Sequence, residues 1–582
     1  MRSQLKHYIA HEFMLKVFTA FVVLQVLISS RWNLDPYHEG ALFPSSVGLA
    51  QGKVIFRDVN NQYGSLVALF NAPFHFLFGN HLYISRLVSA TTFLLTAYLT
   101  FVLLRTYLTR TQAHSIALFW LVLSPTWAWF PGHDSMIAVA WPNHFAVLLS
   151  LVSFILLRRV VSGQVRFSKQ IALGSGLAAF FVTQARFELY ILWFIELTII
   201  LYFVRLRSVS KNTLALWFMG SLVGAILNFG YLAINSGLRD WYNQTIKVWF
   251  SNPPDLPSVN LNFFIFNFAS FFLLLSILLL IIVVNWIFHR SNLPTWMTII
   301  LISVVIVLLS EVPRFLPPLR IGNSFEFKSW SQHVFEMILF SPVNLIYTLG
   351  ALLLVFHAFS HFSSIKPPGR FVLVTNFDSI FLGGMAIGFL LLTHNFNAPY
   401  TGITVAPFLG YLAAAIRFTG SGLESMPDKI EPQARNLFVA FSLISSCLFV
   451  FNMTQQTSHF QTPILKGITT VDREYREFVD DRFSAIAEHV KPGRMWMMCN
   501  TGLYTVSLDG YMGADEWSWN QQPEVWMQDR PLRAWSGDSL VTCQLSEGER
   551  DRVSRLETMG KIVPVYVLDD FVIYQVLSGS ES

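Results

Sequence analysis

Long apolar runs separated by short polar loops dominate the chain from about residue 12 to residue 454. A helix of about 20 apolar residues crosses the hydrocarbon core of a bilayer, so each long run predicts a membrane span. We expect about thirteen spans on this measure. The predicted spans lie near 12–30, 83–108, 113–130, 141–160, 169–184, 187–205, 213–235, 263–288, 296–312, 336–361, 371–393, 401–418 and 435–454.

Beyond the last run the chain becomes polar, in a way that is typical of a water-facing domain. Two runs rich in β-formers, 563–568 and 571–576, are separated by two Asp residues and predict a β-hairpin. Residues 472–490 predict a helix. We therefore expect a transmembrane domain over 1–454 and a small C-terminal α/β domain over 455–582.

Basic residues cluster in alternate loops, which predicts the orientation of the chain. The positive-inside rule assigns these loops to the cytoplasm, so the N-terminus is expected inside and the C-terminal domain outside. The first external loop is then 31–82, where the apolar segment 64–79 is too short to span, contains Pro73, and predicts an interfacial helix. The basic residues are Arg2, Lys6, Arg105, Arg110, Arg158, Arg159, Arg166, Lys169, Arg205, Arg207, Lys211, Arg290, Lys366, Arg370, Arg417, Lys429 and Arg435.

Composition agrees with a membrane protein: 53% of the 582 residues are hydrophobic, 13% are charged, and the mean hydropathy is +0.49. The net charge of +5 does not indicate nucleic-acid binding, because the basic residues lie at span ends, where topology explains them. Cys499 and Cys543 both fall in the polar C-terminal region, where a disulfide is expected if that region is extracytoplasmic. No Cys/His spacing resembles a zinc site.

Ionisable residues are concentrated in the first external loop, close to the predicted membrane surface. Asp35, His38, Glu39, Arg57 and Asp58 all lie there, and charges at that depth are usually functional or paired. Four of them have a structural alternative. Asp35 before a proline is a good helix cap, His38 suits an interfacial position, and Arg57 with Asp58 could form a local ion pair.

The segments LDPYHEG, GKVIFRDVNNQYGSL and FGNHLYISRL, together with the layout of spans and outer domain, resemble the GT-C superfamily of integral-membrane glycosyltransferases. The layout is similar to that of lipid A aminoarabinose transferases and protein O-mannosyltransferases. The motif resemblance covers mainly residues 31–88. It implies a GT-C-like fold in an inner membrane, with the C-terminal domain in the bacterial periplasm.

The resemblance implies transfer of a hexose or pentose from a polyprenyl-phosphate donor to a lipid, glycan or protein acceptor. The family's catalytic carboxylate would be Asp35, with Glu39 as the alternative, because the adjacent double acid of some members is absent. A single displacement would invert the anomeric centre. Whether a divalent metal assists is left open, since some members use one and others do not.

Phosphate binding calls for cations near the outer surface. His38, Arg57 and Asp58 of the first loop are candidates for binding the substrate or its phosphate. Further candidates are Arg186, which could instead snorkel to headgroups, and the cluster of Arg314, Arg320 and Lys328, which could instead meet lipid phosphates. His394 at another outer span end could line the cavity or simply belong to a loop.

Three other functions compete with sugar transfer. A transporter or flippase of lipid-linked glycans would place charged residues at the bilayer midplane, where Asp378 is the clearest candidate. A ligase for polyprenyl-diphosphate glycans would also act outside, although an acidic first loop is not expected of it. A scaffold that binds partners through its C-terminal domain is disfavoured only weakly.

Overall fold

The computed structural model is helical over the membrane region and mixed α/β near the C-terminus. It describes residues 2–59, 61, 63–123, 141–162, 167–186, 189–247, 377–392, 406–407, 409–414, 449–450, 453–470, 472–490, 495–499, 503–507, 510–511, 538–543, 545 and 547–577. The predicted spans at 263–288, 296–312 and 336–361 lie outside these residues, and the span at 435–454 lies almost wholly outside them.

Helices of the membrane region follow the predicted apolar runs. Within the described residues, α4, α6 and α9 are long and apolar enough to cross a membrane. The run at 169–205 forms two helices, as predicted. The helices are α1 Arg2–Ser29, α2 Pro36–Ala50, α3 Leu66–Phe78, α4 Leu82–Leu104, α5 Arg110–Leu123, α6 Pro142–Val161, α7 Ser168–Thr183, α8 Tyr190–Arg205, α9 Lys211–Ile234, α10 Leu238–Trp241 and α11 Phe377–Leu392.

Local sequence explains where several of these helices begin and end. Helix α6 has Pro142 at its first position, where a missing N–H costs nothing, and two arginines in its last turn. Helix α9 begins after Ser210, whose hydroxyl accepts a hydrogen bond from the Thr213 N–H at 3.0 Å.

Glycines allow the closest helix contact, between α7 and α9. A Cβ added to Gly176 would lie 1.7 Å from the Trp217 carbonyl oxygen, and one added to Gly220 would lie 2.0 Å from the Leu173 carbonyl oxygen. Small residues at such crossings let helix backbones approach each other, which is a common source of stability inside membranes.

The helix predicted over 64–79 is confirmed as α3, with Pro73 inside it, and its position at the membrane interface stays a prediction. One face packs on the bundle through Asn71 and His75, whereas Phe76 is 76% exposed and Phe78 is 64% exposed. A short helix with an exposed aromatic face suits the boundary between headgroups and acyl chains.

The C-terminal residues contain the predicted helix and hairpin, which are confirmed as α12 and as β7 with β8. The larger sheet has the order β3-β6-β8-β7; β3 and β6 are parallel and the other pairs are antiparallel. The elements are β1 Ser458–His459, β2 Thr469–Thr470, α12 Arg473–His489, β3 Met495–Met498, β4 Val506–Ser507, β5 Gly510–Tyr511, β6 Ser539–Thr542, α13 Glu547–Thr558, β7 Ile562–Leu568 and β8 Phe571–Val576.

The two cysteines end neighbouring parallel strands. Met498 of β3 pairs with Thr542 of β6, and the next residues in each chain segment are Cys499 and Cys543. Their Cα atoms lie 4.7 Å apart and their sulfurs are bonded. The strand register alone therefore brings the two thiols together.

The C-terminal residues are joined to the segment that follows α1. The Asn33 N–H donates to the Thr469 carbonyl oxygen at 2.6 Å, and the Thr469 N–H donates to the Arg31 carbonyl oxygen at 2.8 Å. His81 Nδ1 also donates to the Pro463 carbonyl oxygen at 3.0 Å. We call the end of the bundle that carries residues 30–81 the loop end.

The opposite end holds a polar cluster around Asp378. The Asp378 carboxylate accepts hydrogen bonds from Arg158 Nε at 2.8 Å and from the Tyr107 hydroxyl at 2.6 Å. Arg158 lies in the last turn of α6. Asp378 is therefore paired at the end of the bundle, and the midplane position considered for a transporter is wrong.

We expect Gly176→Ala to destabilise the bundle, because the new methyl group overlaps the Trp217 carbonyl and forces α7 and α9 apart. Overpacking of this kind costs about 1–3 kcal/mol. The matched control is Gly230→Ala in α9, where an added Cβ has nothing within 4 Å. The midpoint of thermal unfolding in detergent should fall for the first variant alone, and equal midpoints would contradict the contact.

Candidate functional site

The first loop begins with a sharp turn that aims the chain into α2. Asn33 has φ of 57°, a left-handed conformation that Asn tolerates better than most residues. Two residues later comes Asp35, and Pro36 then opens α2. Asp35 is only 6% exposed, so this carboxylate is buried at the start of a helix at the loop end.

A buried ion pair fixes α2 against α4. Arg86 Nε lies 2.5 Å from Glu39 Oε1, and Arg86 Nη2 lies 2.7 Å from Glu39 Oε2; both residues are 2% exposed. The third guanidinium nitrogen, Nη1, donates to the Trp32 carbonyl oxygen at 3.0 Å. The planar guanidinium suits this bidentate geometry, and it holds α2, α4 and the segment after α1 together.

Glu39 also holds the backbone of Asp35. Its Oε2 accepts the Asp35 N–H at 3.0 Å, while its own N–H donates to the Asp35 carbonyl oxygen at 3.0 Å. Both carboxylate oxygens of Glu39 are thus engaged by groups of the protein. Of the two acids that the sequence offers as alternatives, Glu39 therefore has the surroundings of a structural residue.

Arg57 and Asp58 form a partly exposed ion pair further along the loop. Arg57 Nε and Nη2 each lie 2.8 Å from a carboxylate oxygen of Asp58, and Arg57 Nη1 donates to the Asn235 carbonyl oxygen at 2.9 Å. The hydrogen bonds from Arg57 hold the pKa of Asp58 below its ordinary value. This pair links the loop to the end of α9.

The part of the first loop that leads into α3 is anchored on the C-terminal end of α7 through backbone hydrogen bonds. The Gly64 N–H donates to the Ala185 carbonyl oxygen at 3.1 Å, and the Leu66 N–H donates to the Gln184 carbonyl oxygen at 2.9 Å. A Cβ at Gly64 would lie 1.9 Å from the Gln184 oxygen, so this approach requires glycine.

Arg186 follows this anchor directly and is half-buried at the loop end. Its guanidinium carbon lies 5.7 Å from the ring centroid of Tyr63, and the Tyr63 ring meets the Trp141 ring edge-on at 6.5 Å. A cation beside two aromatic rings is well suited to a phosphate that carries an apolar chain.

A chain of amide and hydroxyl groups supports the same region. The Ser65 hydroxyl donates to Asn228 Oδ1 at 2.6 Å, and Asn228 Nδ2 donates to Gln184 Oε1 at 2.8 Å. Gln184 Nε2 in turn donates to the Tyr190 hydroxyl at 2.9 Å. Sequence reasoning missed this network, although Asn228 is polar within an apolar run and so gave a signal.

His75 connects α3 to α4 and is another residue that sequence reasoning missed. Its Nδ1 donates to the Gly79 carbonyl oxygen at 3.1 Å, so Nε2 accepts from the Ser85 hydroxyl at 2.7 Å. Burial lowers the pKa of His75 to about 4, which keeps the ring neutral. The contact is structural.

Several candidates cannot be placed in the site. The side chain of His38 and all of Arg314, Arg320, Lys328 and His394 lie outside the described residues. Among the residues that the structure does describe, no cluster of three His, Cys, Asp or Glu side chains could hold a metal ion.

No protein-family model matches the sequence. No curated protein matches it at a significant level. Comparison with solved structures finds ArnT from Cupriavidus metallidurans in the apo state, at 13% identity and a TM-score of 0.39, covering 97% of this chain and 98% of that one. ArnT bound to undecaprenyl phosphate gives 12% identity, a TM-score of 0.39 and coverage of 96% and 97%.

The archaeal oligosaccharyltransferase AglB from Archaeoglobus fulgidus, in complex with an inhibitory peptide and a dolichol-phosphate, matches at 11% identity. The TM-score is 0.42, with 82% of this chain and 58% of that chain covered.

We expect Arg86→Met to lower the free energy of unfolding by about 3–5 kcal/mol, because Glu39 would remain buried without its cation. Asp58→Asn, which breaks a partly exposed pair, should cost less than about 1 kcal/mol. The midpoint of thermal unfolding in detergent measures both. Adding Glu39→Met to Arg86→Met should recover part of the loss, and a further large fall on the second substitution would contradict the pairing.

Proposed function

We propose that this protein transfers a sugar from a polyprenyl-phosphate carrier to an acceptor hydroxyl at the loop end of the bundle. The observation that carries the proposal is the buried position of Asp35 at the start of α2, where Glu39 holds its backbone N–H. Glu39 is committed to Arg86, and this pair fixes the backbone of Asp35. A carboxylate on a rigid support at the membrane edge suits general-base chemistry, which depends on positioning.

In the proposed reaction, the acceptor oxygen attacks the anomeric carbon while its proton passes to the Asp35 carboxylate. The bond between the anomeric carbon and the phosphate oxygen breaks, and the bonding electrons leave with the polyprenyl phosphate. Attack opposite the leaving group inverts the anomeric centre. Negative charge grows on the departing phosphate, so a cation is needed near it.

Arg186 is the cation that we assign to the phosphate. It lies at the loop end beside Tyr63, and the backbone contacts of Gly64 and Leu66 fix the loop beside it. In this proposal the rings of Tyr63 and Trp141 line the path of the first isoprene units of the carrier lipid. Arg57 is assigned a supporting role, because its hydrogen bonds go to Asp58 and Asn235.

The proposal includes an orientation in which the loop end and the C-terminal domain face the periplasm of a bacterial inner membrane. The ends of helices opposite the loop carry many cations and few acids, whereas the loop end carries Asp35, Glu39 and Asp58 beside its cations Arg57, Arg86 and Arg186. This asymmetry supports the positive-inside assignment. The basic residues at the opposite end are Arg105, Arg110, Arg158, Arg159, Arg205 and Lys211.

We expect Asp35→Asn to reduce sugar transfer by about 10²–10⁴-fold, the range that general-base catalysis contributes. Asn caps a helix about as well as Asp, so this change removes the base and keeps a helix-capping role. The assay uses purified, reconstituted protein with undecaprenyl-phosphate glucose or undecaprenyl-phosphate mannose as the donor. The release of undecaprenyl phosphate measures sugar transfer.

The control for Asp35→Asn is Asp58→Asn, the same chemical change elsewhere in the loop, which should retain most activity. Both variants should have thermal midpoints near that of the wild type. Full activity of Asp35→Asn would remove Asp35 from the mechanism. Failure of the wild type to release the carrier from either donor, with a range of lipid, glycan and peptide acceptors, would count against the proposed donor class.

We expect Arg186→Gln to raise the KM for the lipid-linked donor roughly tenfold or more, since it removes a charge-assisted contact with the phosphate. The KM for the acceptor should change little. Arg57→Gln is the matched control and should leave the donor KM within about twofold of the wild-type value, because its contacts lie within the loop and with α9. An unchanged donor KM in Arg186→Gln would refute the assignment.

A further inference from the structure

A groove of about 360 Å³ lies between α1, α4 and α5. It is separate from the candidate site, because none of its lining residues belongs to the first loop or to the surroundings of Arg186. Most of the wall is apolar and includes Leu15, Val23, Leu94, Phe101 and Leu118. A trough of this kind, open along a membrane helix, suits an acyl chain.

Two cations, Lys16 and Arg110, line the same groove, and both are exposed. Among the side chains that the structure describes, none of those that line the groove is acidic. The polar side chains of Thr19 and His114, which also line the groove, are hydrogen-bonded to each other. The Thr19 hydroxyl donates to the Leu15 carbonyl oxygen at 2.7 Å and therefore accepts from His114 Nε2 at 2.8 Å. The net charge of the lining is positive.

Both cations lie away from the loop end of the bundle. Lys16 precedes the end of α1 at Ser29 by 13 residues, which is about 20 Å of helix. A long side chain at that depth reaches outwards to the headgroups. Arg110 is the first residue of α5. Thr109 just before the helix and Gln112 in its first turn exchange hydrogen bonds that cap it.

We propose that this groove binds an anionic phospholipid, with its phosphate between Lys16 and Arg110 and an acyl chain against the apolar wall. Charge complementarity selects this occupant. A zwitterionic lipid brings a cation towards two cations, and a transmembrane helix offers no charge that would match them. Anionic lipids attract basic side chains at a membrane surface by about 1 kcal/mol per residue. The proposal does not depend on the sugar-transfer reaction.

The test compares lipids that differ in headgroup alone. The purified full-length protein in a nonionic detergent would be titrated with phosphatidylglycerol or phosphatidylcholine of identical acyl chains, and bound lipid would be counted by native mass spectrometry. Soluble sn-glycerol 3-phosphate tests whether a phosphate without acyl chains is sufficient. The variant is Lys16→Gln with Arg110→Gln. The control is Arg159→Gln with Arg205→Gln, the same charge change at the same end outside the groove.

The wild type and the control should bind phosphatidylglycerol roughly tenfold more tightly than phosphatidylcholine, and the groove variant should lose this preference. Glycerol phosphate should not be retained. Equal binding of the two lipids by the wild type would overturn the proposal. Equal losses in both double variants would assign the preference to the general surface charge, and tight binding of glycerol phosphate would assign it to a free anion; both results refute a lipid site.

Discussion

The bidentate pair between Glu39 and Arg86 is the interaction on which the loop end depends. It lies where three segments meet, because Arg86 belongs to α4, Glu39 to α2, and the remaining guanidinium nitrogen bonds the chain after α1. Because both side chains are buried, these charges are tolerable only as a pair. The same carboxylate bonds the backbone of Asp35, so the position of a candidate base follows from a structural contact.

The first loop is held at two places by different parts of the chain. Near its start, Arg31 and Asn33 pair with Thr469 of the C-terminal region, and at the start of α3 Gly64 and Leu66 pair with the carbonyls that close α7. These two attachments limit the motion of the residues between them. A site that must align a lipid-linked sugar with an acceptor benefits from such rigidity, since small displacements of reacting groups cost large factors in rate.

Local patterns predicted much of what the structure describes. Apolar run length indicated the helices, Pro73 with its neighbours indicated α3, and the alternation on either side of Asp569 and Asp570 indicated the hairpin. The partner of Glu39 was not predictable, since Arg86 is 47 residues away and no local rule pairs them. The network from Ser65 through Asn228 to Gln184 was missed for the same reason. Asp35 could be named as a candidate from the sequence, because its neighbours resemble a known motif.

The pairing of the first loop with Thr469 also has a consequence for biosynthesis. Arg31 and Thr469 are 438 residues apart, so the loop is synthesised long before the strand that binds it. At about 5–20 residues per second the ribosome needs roughly 20–90 s to cover that distance. During that interval the segment after α1 lacks its β-bridge. The contacts of residues 31–33 with Thr469 are therefore among the last to form, and a truncated chain that ends before Thr469 never acquires them.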